Sequence, residues 1–182
     1  MSETSSTTAA AAPLGGRAAV AALRRNQVDH VVTVPDWVQL SMHAQLARGE
    51  DGIRLMNVCN ENQCVTIGAG LTLGGRKPML VMQNQGLYNC INTLRAVSMD
   101  AHVPLVFMVG QFGREYANLG QDPRQSSRTM VRILEPLLET LELPFWRIDN
   151  AADLDRMDEA YATAHERRTA ALLLVGTPMS WS

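Results

Sequence analysis

The chain has 182 residues, of which 46% are hydrophobic and 19% charged, and its formal net charge is −2 at pH 7. A chain of that length fits one globular domain, and so even a charge balance presents no basic face to nucleic acid or to an anionic membrane. No apolar run reaches the roughly 20 residues that a membrane-spanning helix needs.

Residues 1–14 are mostly Ser, Thr and Ala, too poor in apolar bulk to pack a core, and are expected to form a disordered tail ahead of a single domain over residues 15–182. The segment lacks the basic start and long apolar stretch of a secretory signal, which points to the cytoplasm. Gly16 to Arg25 predicts a short helix with an Ala/Leu face and a basic end. Val28 to Val34 is β-branched and stops at Pro35, the pattern of a strand. Trp37, Leu40, Ala44 and Ala47 recur at helical spacing. Ile53 to Val58 predicts the next strand, and Glu61 to Leu73 a helix stopped by Gly74-Gly75. Met79 to Met82 predicts an apolar strand, Leu87 to Ser98 a helix and Leu105 to Val109 a strand. Ser126 to Leu141 predicts a long helix bent near Pro136. Phe145 to Ile148 predicts a strand, Leu154 to Arg167 a helix and Ala171 to Val175 a last apolar strand. Cys59, Cys64 and Cys90 lack metal-ligand spacing and are expected as buried free thiols.

About six short apolar strands alternating with about six helices imply an α/β domain of three layers, a mainly parallel sheet covered on both faces. Ligands of such sheets bind beyond the carboxyl ends of the strands. Four segments fall there: Pro35-Asp36, Asn60-Glu61, Gln83 to Asn89, and Gln111 to Glu115. The polar loop from Gly110 to Gln125 is longer than ordinary connections, a length associated with function.

Each segment has an ordinary explanation beside a chemical one. Glu61 is the only charge in the stretch CNENQCVTIGAG, residues 59–70. It fits a first-turn glutamate favoured by the helix dipole, or a carboxyl desolvated among apolar helices and able to share a proton near neutrality. Gln83, Gly86 and Asn89 lie in QNQGLYN; they fit helix capping, or amides that pin a ligand ring where glycine permits close approach. Asp36 fits a helix N-cap as well as an acid at the rim. Arg114, Arg128 and Arg132 fit surface solvation, or bidentate recognition of an anionic substrate.

Taken together, VPDWVQ at 34–39, the block NENQCVTIGAGLTLGGRKPMLVMQNQGLYNCINTLRAV at 60–97 and VPLVFMVGQFGRE at 103–115 resemble the pyrimidine-binding domain of thiamine diphosphate enzymes. The likeness is to the separate alpha subunits of two-subunit decarboxylases of the sulfopyruvate type and to the matching domain of phosphonopyruvate decarboxylases, and it spans about residues 15 to 178. It implies that Glu61 hydrogen-bonds the cofactor's aminopyrimidine ring and steers its proton. It implies too that Asp36 relays protons beside the reacting carbon, that Gln83, Gly86 and Asn89 line the cofactor cleft, and that Gln111, Arg114 and Glu115 face the substrate. The paired histidines that some single-chain decarboxylases carry are absent from that loop.

The Gly-Asp-Gly turn that binds the diphosphate and its magnesium in the family also does not occur. The resemblance therefore implies that this chain supplies no metal ligand. A diphosphate-binding beta subunit would hold Mg²⁺ and complete the site in a hetero-oligomer acting on a small 2-oxo acid. Carboligase or synthase chemistry on the same cofactor, or a non-catalytic scaffold subunit, stand as alternatives. A dinucleotide site would want Gly-x-Gly-x-x-Gly after the first strand, where Pro35-Asp36-Trp37 stands instead.

Overall fold

A computed structural model describes residues 13–181. Most of the expected tail, residues 1–12, lies outside the described residues. Leu14, expected at the end of the tail, is buried, and its carbonyl accepts the Ser180 N–H at 2.8 Å, so it belongs to the folded unit.

Six strands form one sheet: β1 His30–Thr33, β2 Arg54–Asn57, β3 Pro78–Gln83, β4 Leu105–Gly110, β5 Phe145–Ile148 and β6 Ala170–Val175. Their spatial order is β2-β1-β3-β4-β6-β5, and every pairing is parallel. Seven α-helices connect them: α1 Gly16–Arg25, α2 Leu40–Leu46, α3 Glu61–Leu73, α4 Asn84–Leu94, α5 Thr129–Arg132, α6 Leu134–Thr140 and α7 Arg156–Arg167. The chain moves outward from β1 to β2 and then returns past β1 to β3, which puts a topological switch point between β1 and β3.

The central strands are buried on both faces, and successive side chains enter opposite cores. Val31, Met79, Val81, Val106, Met108, Ala171 and Leu173 point into a core closed by α1, α2 and α7. Val32, Leu80, Met82, Leu105, Phe107, Val109, Leu172 and Leu174 point into the other, closed by α3, α4 and α6. None of the described helices is long and apolar enough to cross a membrane.

Several boundaries differ from expectation for local reasons. Residues 36–39 wrap the Asp36 side chain, so α2 starts at Leu40 rather than at Trp37. Helix α4 begins at Asn84, three residues before the apolar periodicity, and runs on as a wider π-type turn over Arg95–Asp100. The helix expected over 126–141 divides into α5 and α6 at Ile133. Pro136 has no N–H for the Arg132 carbonyl four residues earlier, and its ring crowds that carbonyl. Cys64 and Cys90 are buried and burial pushes their thiols up to about 12, whereas Cys59 is exposed, not buried as expected. It sits in the turn between β2 and α3, outside either core.

Candidate active site

All four predicted segments emerge at the carboxyl ends of β1, β2, β3 and β4. They form two polar groups joined through the segment Gln83–Asn89.

The first group surrounds Glu61, the first residue of α3. The Asn60 side chain caps this helix by accepting from Asn62 N–H at 2.8 Å. Thr93 of α4 donates its hydroxyl to the Asn62 side chain at 2.5 Å, tying the two helices together beside the cap. The Glu61 side chain then crosses Gly86 on α4: a Cβ at Gly86 would meet Glu61 Oε1 at 2.5 Å and Cδ at 2.7 Å. Asn89, one turn further along, donates from Nδ2 to Glu61 Oε2 at 3.2 Å. Glu61 Oε1 takes no hydrogen bond from the described residues. The desolvation expected of Glu61 is not reached in this single chain, because the carboxyl is only half-buried at the domain surface.

The second group surrounds Asp36, which is 1% exposed. Val38 N–H donates to Oδ1 at 2.9 Å and Gln39 Nε2 to Oδ2 at 2.7 Å. The Gln83 side chain and the Gly110 backbone N–H also favour the charged carboxylate. Desolvation outweighs these four groups and raises the carboxyl to about 6. Its Oδ2 also occupies the space that a Cβ on Gly110 would need. The Asp36 backbone N–H donates to His43 Nε2 at 3.2 Å; that nitrogen is therefore the acceptor and the proton sits on Nδ1. Burial lowers His43 to about 4, which keeps the ring neutral. His43 Nδ1, Gln39 Oε1, Thr33 Oγ1 and Gln111 Nε2 are buried without hydrogen-bond partners.

The loop after β4 differs most from expectation. Gln111 is 3% exposed and gives its Oε1 to Arg114 at 3.1 Å. The Arg114 side chain is 2% exposed and lies 3.3 Å from Asp149. It also binds the Asn118 side chain and the backbone carbonyls of Asn118, Gln121 and Gly176. Each of its three nitrogens is engaged within the chain, so Arg114 fastens the loop rather than standing free for a substrate anion. Glu115 is engaged likewise. Ser126 Oγ and Ser127 N–H donate to it at 2.6 and 2.7 Å and hold its carboxyl down at about 2. Arg132 donates to the carbonyls of Ser126 and Ser127. Arg128 is exposed.

Sequence reasoning missed Gln39 and His43, although Asp36, Gln39 and His43 follow the i, i+3, i+7 spacing of one helix face. It also missed Asn84, which is fully buried and pins the loop by donating to the carbonyls of Phe112 and Met130, both at 3.1 Å. No periodic signal marks a side chain whose partners are backbone atoms far along the chain. Among the described residues no group of three or more His, Cys, Asp or Glu is placed to hold a metal ion.

Residues 14–131 match the family described as thiamine pyrophosphate enzyme, N-terminal TPP binding domain. The chain is 27% identical over 128 residues to the sulfopyruvate decarboxylase subunit alpha of Methanothermobacter thermautotrophicus, covering 70% of this chain and 74% of that one. It is 28% identical over 119 residues to the subunit of the same name from Methanococcus maripaludis, covering 65% and 68%. Among solved structures, the 2-oxoglutarate:ferredoxin oxidoreductase of Magnetococcus marinus is similar, with a TM-score of 0.65 at 12% identity. That match takes in 91% of this chain but 29% of the oxidoreductase chain, and it speaks to the fold alone.

Proposed function

The chain belongs to the family of the N-terminal TPP binding domain of thiamine pyrophosphate enzymes, and from that membership we propose that it is the pyrimidine-binding subunit of a thiamine diphosphate-dependent decarboxylase of a small 2-oxo acid. The arrangement of Glu61 carries this reading. One carboxylate oxygen is held by Asn89, the other is free, and bare glycine backbone lies beside it. That set fits a flat heteroaromatic ring with a nitrogen to share a proton. Glu61 would bind the pyrimidine and hold the proton, with Gly86 and Asn89 fixing its orientation and Gln83 lining the cleft. When bound, the cofactor supplies the electron sink that lets a 2-oxo acid lose carbon dioxide. Asp36, at about 6, can hold or release a proton near neutral pH, as a general acid–base group must.

Gln111 is the loop residue best suited to reach the substrate, since its Nε2 has no partner within the chain and a turn of the side chain would present it to the cleft. Arg114 and Glu115 would act through the loop they brace. The curated relatives make sulfopyruvate the first acid to assay, with phosphonopyruvate as its analogue. The missing Gly-Asp-Gly turn supports a beta subunit that would hold the diphosphate and Mg²⁺ in a hetero-oligomer and whose surface would complete the desolvation of Glu61. In the assembled pair, Glu61→Gln is expected to lower carbon dioxide release by at least ~10²-fold, the scale of a lost acid–base group. Near-normal turnover by that variant would favour a scaffold role.

A further inference from the structure

Beside the Asp36 turn, at the carboxyl ends of β4 and β6, lies a cavity of about 170 Å³. Trp37, Val38, Phe112, Tyr116, Leu119 and Pro178 supply its apolar walls, with Gln111, Arg114 and two glycines completing the lining. An apolar cavity of about 150 Å³ is enough to take up benzene. We propose that this cavity receives the side chain of the 2-oxo acid and selects an apolar one, a phenyl or branched alkyl group, over a sulfonate or phosphonate. The proposal rests on the decarboxylase reading and adds the substrate class.

Three observations carry it. First, the lining is dominated by aromatic and aliphatic side chains whose burial favours a hydrocarbon. Second, the one cation in the wall is already used. Arg114 is bonded through all three nitrogens and lies 3.3 Å from Asp149. A sulfonate entering here would gain no free donor from Arg114, whose charge Asp149 already balances. A buried anion without a partner is strongly disfavoured. Third, Gln111 Nε2 is a buried donor without a partner. A turn of the Gln111 side chain would bring that donor to a keto or carboxylate oxygen of the acid while the hydrocarbon tail fills the cavity. An apolar body with one acceptor oxygen matches the lining group for group.

The test has two arms. In the first, the full chain is titrated with 3-phenylpropionate and with 3-sulfopropionate, followed by ligand-observed NMR. Phenylpropionate is expected to bind at least about tenfold more tightly, the discrimination available to an apolar pocket. Leu119→Lys, which places an ammonium in the wall, is expected to reverse the order, and Phe112→Ser to weaken phenylpropionate alone. Equal or tighter binding of the sulfonate by the wild-type chain would overturn the proposal, as would phenylpropionate binding indifferent to both substitutions. In the second arm, kcat/KM of the assembled pair is compared for phenylpyruvate, 4-methyl-2-oxopentanoate and sulfopyruvate. Preference for either apolar acid supports the proposal; preference for sulfopyruvate overturns it and leaves the decarboxylase reading standing. Failure to decarboxylate any 2-oxo acid would remove the decarboxylase reading, and the first arm would then decide the cavity by itself.

Discussion

Asp36, proposed as the acid–base group, carries a cost to the fold. Its carboxyl is held at about 6, against an ordinary value of 3.8, so the folded chain binds this proton more tightly than the unfolded one. The stability contribution is therefore fully present below about pH 4 and is lost as the pH rises through 6. Converted by linkage, the loss is on the order of 3 kcal/mol at neutral pH. Asp36→Asn removes the charge, so its advantage over wild type in denaturant unfolding should be small below pH 4 and widen up to about pH 6. A difference independent of pH would refute the raised pKa. The sequence marked Asp36 as an acid at a strand exit, and that position holds. Its burial was not legible, because it depends on Gly110 and Gln39 leaving space for and bonding a carboxylate that arrives from another strand.

At the scale of elements, the long loop after β4 is fastened at several points. Glu135 of α6 is 1% exposed. It accepts from Arg147 of β5 at 2.6 and 2.7 Å and from Arg124 of the loop at 2.9 Å. Asp122 joins Arg147 at 2.8 Å, and Glu139 pairs with Arg124. Although burial opposes it, the two arginines hold Glu135 below the ordinary carboxylate range. Its contribution is therefore present above pH 4.5 and lost as the pH falls through the lowered value. Removing the acid from a buried pair costs about 3–5 kcal/mol, and less where the partners can reach water. Both arginines are partly exposed, so Glu135→Ala is expected to cost about 2 kcal/mol at pH 7. Limited proteolysis should then cut first between residues 116 and 128. Cleavage elsewhere, or unchanged stability, would show that the network does not brace the loop. The sequence revealed the loop's length and polarity, and its arginines suggested an anion site. Three-dimensional pairing engages Arg114 and Glu115 within the loop, which a linear list of charges could not convey.

At the scale of the whole molecule, the site faces outward from the carboxyl end of the sheet, with Glu61 half-buried and Trp37 and Tyr116 exposed around it. Isothermal titration of this chain alone with thiamine diphosphate and Mg²⁺ is expected to show no micromolar binding, because the proposed two-subunit arrangement leaves the diphosphate ligands to another chain. Tight binding by the single chain would end the two-subunit account. The sequence by itself determined the α/β layering and the four segments that meet at the rim. Strand burial and helix periodicity are local patterns written into neighbouring residues, and the turn from strand to helix fixes which end carries each polar group. Only the tertiary structure decided which of those polar groups remain available. Glu61 keeps one free oxygen and Gln111 one free donor, while Arg114 and Glu115 are consumed by the loop. Such pairing depends on distances between residues far apart in the chain, and those distances exist only once the sheet has brought the strand ends together.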